Sequence, residues 1–203
     1  THQVAANRRW AEDPAQAKAR ALELANKALA LDPSGGAPYL LLAQISRYGG
    51  RYDEAIGFAE KGVALLPNIP VASTVLAGNL VAAGRPEEAL APLQRAKRFS
   101  PVTPANLIFV EGRAYHALGR YEEAITAFER ARTRNPKGLL AVAFLAITYA
   151  NAGRVEEARV AAQDVLKLSP GFSAKGFVGA FSYKDRTKSE HAIATLLQLG
   201  LPE

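Results

Sequence analysis

The chain has 203 residues, with 25 Lys and Arg against 19 Asp and Glu, a formal charge of +6, and neither Cys nor Met. With 49% hydrophobic and 22% charged residues its composition is globular, which excludes a disordered chain and a collagen-like fibre; the missing thiols exclude disulfides, thiolate zinc sites, iron–sulfur clusters and cysteine nucleophiles. The longest apolar run, Leu139 to Ala150 interrupted only by Thr148, is far shorter than the ~20 residues of a membrane span, no signal-peptide pattern opens the chain, and a start at Thr1 rather than Met leads us to expect a piece of a longer protein.

Taken in order, the elements repeat. The first period, up to Pro33, keeps Ala21 and Ala28 but lacks a glycine at its middle, so Asp13-Pro14 is expected to make its turn, with Trp10 in the core or at the N-terminal edge. The second begins a helix in which Leu41, Leu42, Ile45 and Tyr48 share a face. Gly49-Gly50 breaks it, and Tyr52, Ile56, Ala59 and Val63 form a second stripe that Pro67 ends. The same plan returns down the chain. Closing prolines at Pro33, Pro67, Pro101, Pro136 and Pro170 are spaced 34, 34, 35 and 34 residues apart, and Gly50, Gly84, Gly119 and Gly153 keep that step. So do Ala55, Ala89, Ala124 and Ala158, each preceded by two acids. Glycine permits the tight turn, proline cannot continue a helix, and acids in a first turn suit the positive end of a helix dipole. Each period is therefore a helix hairpin. One hairpin cannot bury its apolar face alone, so neighbours must stack.

Residues 171–203 leave the period. Ser173 is expected to cap a short helix whose Ala174, Phe177, Val178 and Phe181 make one apolar face. Thr187-Lys188-Ser189-Glu190 reads as a capping box for a second helix, with Ile193, Leu196 and Leu197 as its buried stripe and Gly200 as its terminator. The expected role of this pair is to cap the open apolar side of the last hairpin.

The 34-residue step with Tyr115, Gly119, Tyr121, Ala124, Phe128, Ala131 and Pro136 resembles the tetratricopeptide repeat. The resemblance implies an all-α fold, a right-handed superhelical solenoid of about five helix hairpins with a two-helix C-terminal cap. Its expected units are a repeat array over 1–170 (1–33 degenerate, then 34–67, 68–101, 102–136 and 137–170) and capping helices over 171–203. A second resemblance lies in the tail. Pro170-Gly171-Phe172-Ser173, Tyr183-Lys184-Asp185 and Gly200-Leu201-Pro202-Glu203 are similar to the C-terminal end of bacterial class III adenylate/guanylate cyclases that bear these repeats. That similarity implies an upstream catalytic domain in the parent chain and a regulatory role for this part.

Catalytic chemistry finds no support in the residues. His2, His116 and His191 are scattered, which gives no metal-ligand spacing. Gly171 to Gly176 has the glycine spacing of a phosphate loop but lacks the following Lys and Ser/Thr. The paired acids recur once per hairpin, as dipole partners would and a catalytic pair would not. No catalytic, metal or cofactor-binding residue is assigned, no cofactor is expected, and the chain is read as not an enzyme. Segment 91–137 holds nine basic residues against four acids. A nucleic-acid or anionic-surface stripe there ranks below a solvated basic face, because no aromatic groups are interleaved for stacking.

What remains is the concave side, which in the resembled family is lined by the first helix of each hairpin. That places Leu40, Gln44 and Arg47, then Thr74 and Gly78, then Asn106, Phe109, Arg113 and His116, then Ala143, Ile147 and Asn151 along an apolar trough. Such a trough suits an extended or helical peptide with apolar anchors and a few charge-assisted hydrogen bonds. The carboxylate clamp of chaperone-tail binders is not expected, since Leu40 and Gln44 stand at its first pair. The expected function is a cytoplasmic, non-catalytic module for protein interaction, binding a peptide or partner domain, in the regulatory region of a cyclase. The alternative is a free-standing adaptor or assembly factor. Contact with an upstream domain and homo-oligomer formation are both left open.

Overall fold

The computed structural model describes residues 14–181 and 183–203. The Asp13 half of the expected first turn and Trp10 lie outside them; Pro14 opens the first described helix. Eleven helices and no strand occur among the described residues. A single helix, α1 (Pro14–Leu31), is followed by four hairpins: α2 (Gly36–Tyr48) with α3 (Tyr52–Leu65), α4 (Pro70–Ala82) with α5 (Pro86–Arg98), α6 (Ala105–Ala117) with α7 (Tyr121–Arg134), and α8 (Leu139–Asn151) with α9 (Val155–Leu168). Two tail helices close the chain, α10 (Ala174–Gly179) and α11 (Arg186–Gln198). Each hairpin packs on the next, making an all-α superhelical solenoid.

The turn inside each hairpin follows one rule. Between α6 and α7, Gly119 has φ +73°, a left-handed conformation that costs a residue with a Cβ. Its amide donates to the His116 carbonyl at 3.0 Å, and the Arg120 amide donates to the Tyr115 carbonyl at 3.0 Å. These bonds satisfy carbonyls that the ending helix leaves open. Arg120 then pairs with Glu123 in the first turn of α7. Arg51 with Glu54, Arg85 with Glu88 and Arg154 with Glu157 repeat the arrangement. The recurring acids thus do two things: they face the helix N-terminus and hold the preceding arginine.

Small residues set how closely the two helices of a hairpin approach. Ala55, Ala89, Ala124 and Ala158 are completely buried. A Cβ on Gly112 would lie 2.6 Å from the Phe128 ring, so glycine there is what lets α6 reach α7. The main core runs from Ile56 to Leu201, centred on Phe109, Phe128 and Phe144, while Ala25, Tyr39 and Leu42 form a separate cluster at the N-terminal end. Helix α8 is buried on every side from Ala141 to Tyr149, which explains why it is apolar all round. Four elements cover it: α6, α7, α9 and the tail helix α11.

The tail departs from expectation in three ways. Helix α11 is capped two residues earlier than the capping box predicts. Asp185 Oδ1 accepts from the Thr187 amide at 2.9 Å and its hydroxyl at 2.6 Å, and those bonds hold the Asp185 carboxyl below its ordinary range. A carboxylate serves the helix start better than the Thr187 hydroxyl, which is spent as a donor to it. Leu196 is fully enclosed, but Leu197 is exposed, because the buried stripe of α11 runs through Thr195 and Leu196 instead. And the tail does not merely seal the last hairpin: it turns back along the concave side. The remaining tail features are as the sequence predicts. Ser173 Oγ accepts from the Gly176 amide at 3.0 Å. Gly200, at φ +84°, ends α11 with the Leu201 amide on the Leu196 carbonyl at 3.1 Å.

Candidate functional site: a groove crossed by the chain's own tail

The first helices of the hairpins, α2, α4, α6 and α8, face the hollow of the solenoid. Ala180, Phe181, Tyr183 and Lys184 lie across it. Phe181 offers its carbonyl to Arg47 Nη1 on α2 at 2.6 Å, and the Lys184 amide donates to the Ala82 carbonyl at the end of α4 at 2.9 Å. That carbonyl belongs to the last turn of α4, where no intrahelical donor remains. The Phe181 ring packs between Phe109 on α6 and Phe144 on α8, at centroid distances of 6.1 and 4.9 Å. Arg113 joins the two halves. Its guanidinium carbon lies 4.7 Å from the Phe181 centroid and 5.3 Å from that of Tyr183, and its Nε donates to the Tyr183 hydroxyl at 3.3 Å. Cation–π contacts of this kind gain strength when water is excluded, and Arg113 is only 6% exposed.

This crossing strap divides the groove into two hollows, with Arg113 and Phe181 in the wall of both. The smaller, about 200 Å³, is lined by Gln44, Arg47, Thr74, Gly78, Asn106 and Phe109. The larger, about 450 Å³, is lined by His116, Ile147 and Asn151 together with tail residues. Two of the residues expected in the groove do not reach it. Leu40 is turned into its own hairpin, filling the space that a Cβ on Gly62 would need, and Ala143 is wholly enclosed in the core. Both lie on the faces of α2 and α8 that meet neighbouring helices.

His116 belongs to the wall rather than to a ligand. Thr148 Oγ1 has one proton and gives it to the Phe144 carbonyl at 2.6 Å. His116 Nδ1, 3.0 Å from the same oxygen, must therefore donate to it. Burial, with His191, Arg113 and Lys188 nearby, pushes the imidazole down to about 4. At the mouth, His191 Nε2 lies 3.0 Å from Asn151 Oδ1. Among the described residues, no group of three His, Asp or Glu side chains is arranged to hold a metal ion, and no helix is long and apolar enough to cross a membrane.

Much of the basic excess is engaged within the fold. Lys97 pairs with Glu111 between hairpins, Arg120 with Glu123 and Arg132 with Asp164, Arg95 donates to the Pro67 carbonyl at 3.0 Å, and Arg113 lies under the strap. The residues that sequence reasoning missed are those of the strap itself. The signal was present in two places: the aromatic run Phe177, Phe181, Tyr183, and the helix Leu139–Asn151, whose concave face is as apolar as its core face.

The tetratricopeptide repeat family matches residues 15–70 and 109–171, more than half of the chain, and the chain belongs to that family. The family described as anaphase-promoting complex, cyclosome, subunit 3 also matches, over residues 48–131. Similar solved structures include TTC0263, a thermophilic tetratricopeptide protein of Thermus thermophilus (23% identity, 87% of this chain and 89% of that one, TM-score 0.68). MamA of Desulfovibrio magneticus RS-1 is a second (20% identity, 75% and 86%, TM-score 0.61). A third is YrrB, described as a tetratricopeptide protein with an unusual peptide-binding site (20% identity, 88% and 93%, TM-score 0.57). At these identities the likeness is one of fold. No curated protein matches the chain.

Proposed function

We propose that this chain is a non-catalytic interaction module whose concave groove receives an aromatic-bearing segment of a partner protein, and that the strap bearing Phe181, Tyr183 and Lys184 occupies that groove in the partner's absence. The observation that carries the reading is the strap. A short non-helical segment, turned at Ala180 and Phe181, meets α2, α4, α6 and α8, held by a main-chain hydrogen bond at Lys184, an arginine on the Phe181 carbonyl and a ring seated between two others. Main-chain bonds with spaced side-chain anchors are how a peptide is recognised in a groove. Gln44, Arg47, Thr74, Gly78, Asn106, Phe109 and Arg113 are the residues that such a segment would meet. A cytoplasmic location suits a module of this kind.

A second reading places the module at the C-terminus of a class III adenylate/guanylate cyclase. It is supported by the tail resemblance, whose residues recur in the docking contacts: Phe172 and Leu201 are buried, Ser173 and Asp185 cap helices, and Tyr183 and Lys184 bind the array. Deleting residues 171–203 from a parent chain that carries a cyclase domain would then change cyclase output, and unchanged output would end that reading.

The groove itself is tested with a labelled peptide of residues 176–186 added in trans. A groove already filled lowers apparent affinity by the fraction that is open. The chain carrying Phe181→Ala and Tyr183→Ala should bind the peptide at least about tenfold more tightly than the unaltered chain, and Arg47→Ala should remove the gain. Equal binding to both chains, or none to either, sinks the proposal.

A further inference from the structure

The larger hollow has a composition that peptide docking does not call for. It lies between α6, α8 and α11, behind the strap, and its volume of about 450 Å³ falls in the range of small-molecule sites. Its walls are the rings and chains of Phe144, Ile147, Phe177, Val178 and Phe181. Its polar side holds two cations, Arg113 and Lys188, beside His191, and no Asp or Glu lines it. Arg113 Nη2 is buried with no hydrogen-bond partner, a donor whose desolvation is left uncompensated. The sum of these positive groups is felt by His116, which they help to keep unprotonated. An apolar chamber with two cations along one side and no acid suits a ligand of one kind.

We infer that this hollow is a binding site for an amphipathic organic anion, with a single carboxylate toward Arg113 and Lys188 and an apolar body against Phe144, Ile147 and Val178. The two cations at one edge match one carboxylate, whereas a nucleotide would bring several charges and a polar sugar to walls that offer them rings and alkyl groups. Because Lys188 and Ala192 reach the hollow from α11, the site exists only while the tail is docked. Phe181 and Tyr183 also line it, so a partner segment that replaced the strap would abolish the site, and the anion would favour the docked tail.

Calorimetry on the full chain tests this with octanoate, octan-1-ol and acetate. Octanoate should bind saturably and at least about tenfold more tightly than octan-1-ol, since a charge-assisted contact is lost in the alcohol, while acetate should give no saturable heat. Lys188 is exposed, so Lys188→Glu should keep the melting temperature and weaken octanoate roughly tenfold. Ala192→Phe should block the hollow, and amide resonances of Val178 and Tyr183 should move with octanoate in the unaltered chain only. Octan-1-ol binding as tightly as octanoate, no heat with octanoate, or octanoate binding untouched by both substitutions would each overturn the assignment.

Discussion

His116 shows how one side chain in this groove is tied to acid stability. In the folded chain its imidazole stays neutral down to about pH 4, from an ordinary 6.5. The unfolded chain therefore binds more protons between those values, and folding stability falls as pH drops from about 6.5 to about 4 while staying level above. Burial of the ring is the main cause, with His191, Arg113 and Lys188 beside it adding to the effect. At pH 4 the loss should reach about 2–3 kcal/mol. His116→Gln should flatten the difference in denaturant midpoint between pH 7 and pH 4.5 relative to the unaltered chain. Exposed carboxylates titrate equally in both, so an unchanged slope in the variant would assign the acid sensitivity elsewhere.

At the level of the helix hairpin, the decisive contact is the small-residue seam. Ala124 is enclosed between α6 and α7, whereas the Glu122 side chain is 73% exposed and pairs with Arg154. Ala124→Leu should overpack the seam and cost about 1–3 kcal/mol; Glu122→Ala should cost a few tenths. Thermal melts of the two variants that coincide would mean the seam lies elsewhere. Gly119→Ala should cost about 1 kcal/mol for its left-handed φ. This layer was legible in the sequence because it repeats. Gly119, Ala124 and Pro136 each have counterparts one period away, so turn, seam and stop could be read from spacing alone. The paired acids were half-read. Their dipole role followed from position, but their bond to Arg51, Arg85, Arg120 and Arg154 needed the turn geometry, which aims each arginine along the next helix. The start of α11 was misplaced because Thr187 and Asp185 both satisfy capping rules, and only their mutual hydrogen bond decides between them. Leu40 and Ala143 were taken for groove residues because helical spacing fixes a face only to within about one residue, or about 100°.

The path of the tail could not be read from any local pattern, since Phe181 and Arg47 are 134 residues apart in sequence. The all-round apolarity of α8 and the aromatic run Phe177, Phe181, Tyr183 hinted that something covered its concave side, but not by which path. If the strap is held as described, Phe181→Ala should release it without unfolding the hairpins. The Lys184 amide, bonded to the Ala82 carbonyl, should then lose its protection from hydrogen exchange, while amides in α6 and α8 keep theirs. Simultaneous loss in all three would mean that tail and array melt as one unit.

The bond between Arg47 and Phe181 also has a mechanical meaning. A repeat array whose units touch only their neighbours behaves as a coil spring, free to lengthen and change pitch at little cost. Here a tether from the second turn of the coil to its far end closes the spring into a clasp, so extension must first break the clasp. Pulled from its ends, the molecule should resist stiffly and then yield in one step to a compliant coil. With Arg47→Ala it should be soft from the start.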